Sequence, residues 1–258
     1  MKISALVLTK NEQSMIGECL SQLDFVDEII ILDQNSEDKT VEFAKQFTNK
    51  IVSSNTEDFA KNRDILASHA KSDWLLYIDA DERISKENIN EIRQGIKTNQ
   101  YSAFYFPRKN IILGKWLRHG GWWPDYVPRL FRKNKLKGWY GPVHESPIIS
   151  GDFGYFKIPI EHLTARNLNL MIAKSNKWAK VEAQLLYKEK RPKVSIASVL
   201  KAAIIEFIKR YLAKKGFLDG TVGLIEAIYQ SLHQAIILTY LWELQNESLE
   251  KFKKVQGE

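Results

Sequence analysis

Residues Trp74–Glu82 have the sequence WLLYIDADE, in which an apolar run is followed by three acidic side chains. The run has the length of a buried strand, and Asp79 and Asp81, two positions apart, can share one face where an extended segment ends. Carboxylate oxygens are hard ligands that suit Mg²⁺ or Mn²⁺. The stretch therefore predicts a divalent-cation site or, alternatively, a strand that ends at Asp79 and a helix cap at Asp81.

Apolar runs alternate with amphipathic stretches throughout the first hundred residues. The predicted strands are Ile3–Thr9, Glu28–Asp33, Lys50–Ser53 and Trp74–Asp79, and the predicted helices are Met15–Leu23, Thr40–Phe47, Phe59–Ala70 and Lys86–Thr98. This alternation is typical of βαβ units and predicts an α/β fold with a mostly parallel central sheet. Because such sheets bind ligands beyond the carboxyl ends of their strands, the candidate binding residues are Thr9, Asn11, Glu12, Asp33, Asp79 and Asp81.

Length and composition exclude several classes of protein. The chain has 258 residues, of which 44% are hydrophobic, and a single cysteine, Cys19. It is therefore expected to fold as a globular protein without an internal disulfide or a multi-cysteine metal site. The turn Thr9–Glu12 contains no glycine, which argues against a dinucleotide-binding or Walker-type phosphate loop. The first apolar run is too short for a signal-peptide core or a membrane span.

The charge is divided unevenly along the chain. Residues 1–100 contain 12 Lys and Arg against 18 Asp and Glu, whereas residues 101–258 contain 26 against 13. Together with the patterning, this predicts a catalytic domain over 1–165, a basic amphipathic helical region over 166–245 and a polar tail over 246–258. The helical region has no nucleic-acid recognition motif and its aromatic side chains do not interleave with its cations, so nucleic acid is not an expected partner.

The helical region contains three predicted amphipathic helices, Leu168–Tyr187, Ser195–Ala213 and Gly220–Leu244. Charged and polar side chains interrupt the second and third, so neither is expected to span a membrane. Their lysines favour apposition to an anionic membrane surface. The alternative is that the apolar stripes pack on the catalytic domain or on another subunit.

Four motifs together strongly resemble glycosyltransferase family 2: Leu8–Glu12 (LTKNE), Asp33–Thr40 (DQNSEDKT), Phe59–Arg63 (FAKNR) and Tyr77–Glu82 (YIDADE). Three more are similar to the branch of that family that adds glucose to heptose in the lipopolysaccharide inner core: Trp122–Arg132 (WWPDYVPRLFR), Gly141–Glu145 (GPVHE) and Lys215–Gly220 (KGFLDG). The resemblance implies inverting enzymes with a GT-A fold, which is Rossmann-like, and nucleotide-sugar donors.

The resemblance also implies roles for single residues. It implies nucleotide binding by Thr9, Glu12, Asp33 and Arg63, and binding of the ribose or diphosphate by Asp79. Asn11, from its place at the strand ends, and Arg129 and Arg132, as phosphate clamps, are further candidates for nucleotide-sugar binding; Arg132 is alternatively part of the basic surface. Metal binding is expected of Asp81 with Asp79 and His144, and His162 is a rival to His144. Two departures from the family pattern are Gln34-Asn35 after Asp33, which puts a second base contact in doubt, and Pro124 before Asp125.

An inverting transfer needs one base to deprotonate the acceptor hydroxyl. Asp125 is the first candidate, because it matches the family's acidic position, and Glu145 is the second; Asp125 is alternatively a turn residue beside Pro124. The tryptophans Trp116, Trp122, Trp123 and Trp139 are expected either to form an acceptor wall or to fill the core. Asp219 is expected to cap a helix rather than to take part in catalysis.

These features predict an enzyme that transfers a hexose, with glucose from UDP-glucose as the leading donor, to a lipid-linked saccharide such as lipopolysaccharide heptose. The expected cofactor is Mg²⁺ or Mn²⁺, and the expected location is cytoplasmic, at the inner face of the cytoplasmic membrane. Other acceptors (a polyprenyl phosphate, a capsule repeat, a protein) and a non-catalytic membrane or nucleic-acid adaptor are the alternatives. Oligomeric state is left open by the sequence.

Overall fold

A computed structural model of the protein describes residues 1–141 and 145–256, with the backbone alone for residues 247–256. The chain divides into two compact units. The first contains Met1–Lys109 and Asp125–Leu163, and the second contains Asn110–Pro124 and the chain from Thr164 onward. The division after Leu163 lies close to the boundary expected at residue 165, but Asn110–Pro124, expected in the catalytic domain, belongs to the second unit.

A mixed β-sheet forms the first unit. Its strands are β1 (Ile3–Thr9), β2 (Glu28–Asp33), β3 (Ile51–Ser53), β4 (Trp74–Asp79), β5 (Glu82–Arg83), β6 (Ala103–Ile112, which continues into the second unit), β8 (Tyr126–Arg132), β11 (Phe153–Tyr155) and β12 (Ile160–His162). The order is β3-β2-β1-β4-β8-β6-β12-β5, and β11 pairs with β6. Strands β3, β2, β1 and β4 are parallel, whereas β8 is antiparallel to both of its neighbours. A separate antiparallel pair joins β9 (Leu136–Tyr140) to β10 (Ser146–Ile149).

Alternate residues of the central strands enter two different hydrophobic clusters. Val7, Ile31 and Leu76 belong to one cluster, and Leu6, Leu32 and Leu75 belong to the other. Since successive side chains of a strand point to opposite faces, the sheet is covered on both faces. This explains why its strands are continuous apolar runs, as is usual for parallel sheets.

Four helices connect the strands of the first unit: α1 (Ile16–Ser21), α2 (Thr40–Ala44), α3 (Phe59–His69) and α4 (Lys86–Thr98). Asp58 caps α3 by accepting a hydrogen bond from the backbone N–H of Lys61. Ser85 caps α4, so the alternative role of Asp81 as the cap of that helix is wrong. Local capping chemistry therefore leaves the Asp81 side chain available for another role.

The second unit is largely helical. It contains β7 (Lys115–Trp116), α5 (Leu168–Lys188), α6 (Ile196–Phe207), a π-helical turn (Ile208–Ala213), a 3₁₀ turn (Gly216–Asp219) and α7 (Gly220–Gln256). Helix α7 includes most of the segment predicted to be a polar tail. Both α5 and α6 pack against α7. Within the described part of the chain, no helix has the length and apolar character needed to cross a membrane.

Candidate active site

Strand register brings three predicted binding residues to one edge of the sheet. Thr9 pairs with Asp33 between β1 and β2, and Leu8 pairs with Asp79 between β1 and β4. The strands are parallel, so their carboxyl ends lie side by side, where a ligand crevice is expected. The side-chain oxygen of Thr9 is buried and has no hydrogen-bond partner among the described residues.

The turns after β1 and β2 are tied to each other by polar contacts. Both carboxylate oxygens of Asp33 accept hydrogen bonds from Ser36, one from its backbone N–H at 2.9 Å and one from its hydroxyl at 2.6 Å. The side chain of Asn11 accepts from the backbone N–H of Glu37, and the backbone N–H of Glu12 donates to the hydroxyl of Thr40. These contacts fix the shape of the rim and leave Asp33 at its centre.

Asp79 and Glu82 share one arginine, Arg129 of β8. A terminal nitrogen of this guanidinium donates to the Asp79 carboxylate and, at 2.6 Å, to Glu82. Glu82 is fully buried, and its second oxygen accepts from the backbone N–H of Asp79 at 3.1 Å. Glu82 lies in β5 and is paired with two arginines.

The second arginine beside Glu82 is Arg108, which the sequence analysis missed. Its Nη1 lies 3.9 Å from Glu82, and its Nε and Nη2 both lie 2.8 Å from one oxygen of Asp125. The backbone N–H of Arg108 also donates to the Asp125 carbonyl at 2.7 Å. Asp125 is thus held at the start of β8, with its side chain 28% exposed.

Arg63 of α3 connects Asp79 to Glu145, the second candidate base. Its Nη2 lies 3.6 Å from Asp79, and its Nε and Nη2 both lie 2.8 Å from one oxygen of Glu145. The guanidinium stacks over the rings of Trp139 and Tyr77. Trp139 is a core residue here, because its ring also packs against Phe131.

These pairs form one continuous series of alternating charges, which we call the charge chain. It consists of Asp125, Arg108, Glu82, Arg129, Asp79, Arg63 and Glu145. Burial opposes the ionisation of Asp79, but the guanidinium groups of Arg129 and Arg63 outweigh it and hold its pKa below the usual value. Burial likewise acts against the charge of Arg129, and the carboxylates of Asp79 and Glu82 overcome it and raise its pKa.

Asp81 lies beside a histidine rather than in the charge chain. Its Oδ2 is 3.3 Å from Nε2 of His162, which is in β12, next to β5. The structure therefore places His162, the rival of His144 in the sequence analysis, next to the predicted metal ligand. His144 lies outside the described residues, so its metal-binding role stays a prediction.

Arg132 is not brought to the site. It pairs with Trp74, at the opposite end of β4 from Asp79, and its guanidinium stacks on the Trp74 ring 5.2 Å from its centre. At about 3.3 Å per residue, the length of β4 separates it from Asp79 by roughly 16 Å. The two arginines of the RLFR segment thus lie at different edges of the sheet, and we leave Arg132 out of the site.

The donor set near Asp81 suits a hard divalent cation that is completed by substrate. Among residues 1–141 and 145–246, whose side chains the structure describes, no group of three or more His, Cys, Asp and Glu side chains is placed to hold a metal ion. Mg²⁺ commonly takes one or two protein ligands and completes its shell with phosphate oxygens and water. The oxygen of Asp81 and the nitrogen of His162 therefore fit a cation that binds together with a diphosphate.

The chain matches the family model described as Glycosyl transferase family 2 over residues 4–160. This match covers more than half of the chain and includes every residue of the charge chain. The protein therefore belongs to glycosyl transferase family 2. Its α/β architecture is the GT-A fold that the resemblance implies, and the enzymes of this class use nucleotide-sugar donors.

Two relatives are described as glycosyltransferases. An uncharacterized glycosyltransferase of Rickettsia felis is 26% identical over 275 residues, which covers 98% of this chain and 93% of the relative. The SPbeta prophage-derived glycosyltransferase SunS of Bacillus subtilis is 24% identical and is matched over 95% of this chain and 63% of its own length.

The similar solved structures include TarS 1–349 and glucosyl-3-phosphoglycerate synthase. Staphylococcus aureus TarS 1–349 has a TM-score of 0.48 at 14% identity, with 100% of this chain and 92% of TarS 1–349 covered. Glucosyl-3-phosphoglycerate synthase of Mycobacterium tuberculosis, in complex with Mn²⁺, UDP-glucose and glycerol 3-phosphate, has a TM-score of 0.37 at 16% identity, with 52% and 58% covered.

Proposed function

We propose that this protein is an inverting, metal-dependent hexosyltransferase that moves glucose from UDP-glucose to a lipid-linked saccharide such as lipopolysaccharide heptose. The observation that carries the proposal is the charge chain, which connects Asp79 at the end of β4 to both candidate bases through alternating ion pairs. Such a chain holds every charged group in place before substrate arrives, which is the arrangement that transfer chemistry favours.

The donor nucleotide lies on the rim formed by the turns after β1 and β2. Asp33 accepts hydrogen bonds from the ribose or base, since an ionised carboxylate has acceptor capacity beyond its two contacts with Ser36. The partnerless hydroxyl of Thr9 and the buried, partnerless Nε of Arg129 are polar atoms that a ligand is expected to satisfy. Glu12 and Asn11 shape this rim through their turns.

The diphosphate lies near Asp79 and Asp81, where Arg63 and Arg129 supply positive charge. Asp81 and His162 hold Mg²⁺ or Mn²⁺, and this cation supplies the charge that neutralises the departing diphosphate. Without a cation, the carboxylates at the end of β4 repel a diphosphate. Arg63 and Arg129 are already neutralised in part by Asp79, Glu82 and Glu145, so they orient the site more than they attract the donor.

Asp125 is the proposed base that removes the proton from the acceptor hydroxyl as that oxygen attacks the anomeric carbon. Its side chain is more exposed than that of Glu145, 28% against 18%, so an acceptor reaches it more easily. Two nitrogens of Arg108 contact one oxygen of Asp125 and fix the direction of its carboxylate. Glu145 is a positioning residue that holds Arg63 against Asp79.

The acceptor is proposed to be a glycolipid in an anionic membrane, with the protein at the inner face of the cytoplasmic membrane. Residues 101–258 contain twice as many basic as acidic residues, 26 against 13. A polybasic surface of this kind is attracted to anionic lipid headgroups within about a Debye length.

The test is sugar release or transfer from a panel of UDP-glucose, UDP-N-acetylglucosamine, UDP-galactose and GDP-mannose, with Mn²⁺, Mg²⁺ or a chelator, and heptose-bearing lipid A as the acceptor. We expect turnover with UDP-glucose and a divalent cation, and its loss in Asp81→Asn and His162→Ala. Arg132→Gln is the control and should keep activity. Cation-independent turnover, or wild-type turnover by Asp81→Asn, would contradict the metal assignment, and no turnover or nucleotide binding with any donor would contradict the function.

A further inference from the structure

Helix α6 and the π-helical turn after it expose a row of large aliphatic side chains. We call this row the outer stripe, and its members are Ile196, Leu200, Ile204, Ile205, Ile208 and Leu212. Their exposed fractions range from 47% at Ile208 to 82% at Ile196. All but Ile205 recur every four residues, and side chains four apart are neighbours on one helix face. Over sixteen residues at 1.5 Å each, the stripe is about 24 Å long.

The orientation of α6 is fixed by its opposite face. The hydroxyl of Ser231 in α7 donates to the carbonyl of Ala203 at 2.7 Å. Glu206 is buried and paired with Arg210 and Lys209. Because the Ala203 side of α6 contacts α7 and the stripe residues are exposed, the outer stripe points away from α7. Soluble proteins rarely expose so many large apolar residues in one row unless a partner covers them.

Charge around the stripe decides which partner fits. Residues 190–215 contain eight Lys and Arg and a single acidic residue, Glu206. Lys193, Lys201, Lys214 and Lys215 are exposed. A second copy that packs through the same stripe would bring the same positive charge against it and would be repelled, whereas anionic lipid headgroups attract it. The aliphatic stems of lysines can lie along the acyl region while their ammonium groups reach the headgroups.

We infer that the outer stripe is the surface with which this protein enters the headgroup and acyl boundary of an anionic bilayer, with α6 lying in the membrane plane. A helix with one apolar and one basic, polar face binds in this way without spanning. The inference rests on the proposed function only for its purpose, which is to hold a lipid-linked acceptor near the enzyme. The binding itself requires no catalysis.

The native cysteine makes a site-specific test practical. Cys19 is buried, and burial raises the pKa of its thiol to about 12, so it is protected from labelling at neutral pH. A thiol introduced by Ile204→Cys then takes an environment-sensitive fluorophore selectively. Ile148→Cys, in β10, is the matched control, because Ile148 is 46% exposed but belongs to the first unit.

The labelled full-length proteins are mixed with phosphatidylcholine vesicles, with or without about a third phosphatidylglycerol. We expect a blue shift of the emission at position 204 with the anionic vesicles only, and no shift at position 148. In flotation, Ile204→Glu should bind anionic vesicles at least about tenfold more weakly than wild type, and Ile148→Glu should bind like wild type.

Equal shifts at both positions, no shift at position 204, or wild-type flotation of Ile204→Glu would overturn the inference. So would sedimentation that shows self-association abolished by Ile204→Glu while vesicles are not bound. Binding of UDP by the same preparations separates the two proposals. If UDP binds and vesicles do not, the assignment of the outer stripe as a membrane surface is wrong and the proposed transfer stands. If vesicles bind and no donor does, the membrane surface stands and the proposed transfer is wrong.

Discussion

Asp79, at the end of β4, and Glu226, on α7, are carboxylates with very different surroundings. Asp79 has Arg129 and Arg63 beside it, and their attraction outweighs desolvation and keeps its pKa low. Glu226 is 3% exposed and receives a hydrogen bond from Gln230, while its other oxygen has no partner among the described residues. Burial raises its pKa to about 7, against the weaker effects of Gln230, Arg210 and His233.

The contrast shows what the charge chain achieves. Each carboxylate of the charge chain lies beside a guanidinium that fixes its direction, and at Asp79 this attraction also favours the ionised form. In the second unit the carboxylate is matched only by an amide, and desolvation dominates. A buried charge without a partner is costly, so the arginines of the first unit are required by the acids at the end of β4.

Removing the proposed base should have the largest effect. Asp125→Asn keeps the size of the side chain but cannot accept the acceptor proton, so kcat should fall by about 10²–10⁴-fold while the KM for the donor changes little. In Glu145→Gln, kcat should fall by a smaller factor, because Arg63 keeps its contact with Asp79. Steady-state kinetics with the donor and acceptor checks this. A larger loss in Glu145→Gln than in Asp125→Asn would exchange the two roles.

Breaking the charge chain at its centre should give the next largest effect. Arg129→Met leaves Glu82 buried beside Asp79, with Arg108 at 3.9 Å as its nearest cation, and we expect a loss of about 3–5 kcal/mol in the free energy of unfolding. Urea denaturation measures it. Arg132→Met, on the same strand, should cost less than about 1 kcal/mol, since it loses mainly a stacking contact with Trp74. Equal losses of unfolding free energy in Arg129→Met and Arg132→Met would show that the ion pairs of the charge chain do not stabilise the site.

Neutralising Glu226 should have a smaller effect of opposite sign. The folded-state pKa near 7 lies above the ordinary value of 4.5, so this group lowers stability progressively as pH rises from about 4.5 to 7. Glu226→Gln should therefore raise the free energy of unfolding by roughly 1–3 kcal/mol at pH 8 and by almost nothing at pH 4. Thermal or urea denaturation at both pH values checks this. A loss of stability at pH 8 would show that the ionised form is favoured.

The smallest effect is expected at Arg132. Its guanidinium lies beside Trp74 and donates to Asn99, at the far end of β4. Arg132→Gln should leave kcat/KM within about twofold of wild type, because surface changes away from a site are usually small. The same kinetic assay as for Asp125→Asn measures it. A tenfold loss would mean that Arg132 reaches the donor after all.

Much of the first unit could be predicted from periodicity and turn residues. The bounds of β1, β2, β4 and α4 agree with the apolar runs and amphipathic stretches, because both faces of the sheet are buried and a helix has one apolar face. The ends of other elements were predicted less accurately. Strand β6 continues to Ile112 because its last residues pair with β7, which is a tertiary contact that periodicity does not encode.

The site was predictable only in part, for the same reason. Residues at strand ends, such as Asp79, follow from the rule that parallel strands end at one edge. The residues that they contact on other strands of the sheet do not follow from this rule. Arg108 and Glu82 meet because β5 is placed near β6 through β12, and His162 meets Asp81 because β12 pairs with β5.

Asp219 was predicted to cap a helix, and the structure gives its side chain different partners. Its sequence context suggested a cap, but its carboxylate accepts from the backbone N–H groups of Arg118 and His119, far away along the chain. It also pairs with the His119 ring at 3.0 Å. The sequence of a short polar turn therefore indicates a hydrogen-bonding carboxylate, but it does not identify the backbone N–H groups that donate to it.

The most direct test of the charge chain and its cation is a crystal structure of the protein with UDP and Mn²⁺, with the cation located by its anomalous scattering. We expect one strong peak about 2.0–2.3 Å from an oxygen of Asp81 and from Nε2 of His162, with the diphosphate beside it and Arg129 still bridging Asp79 and Glu82. A cation bound elsewhere, or a diphosphate distant from the end of β4, would contradict it.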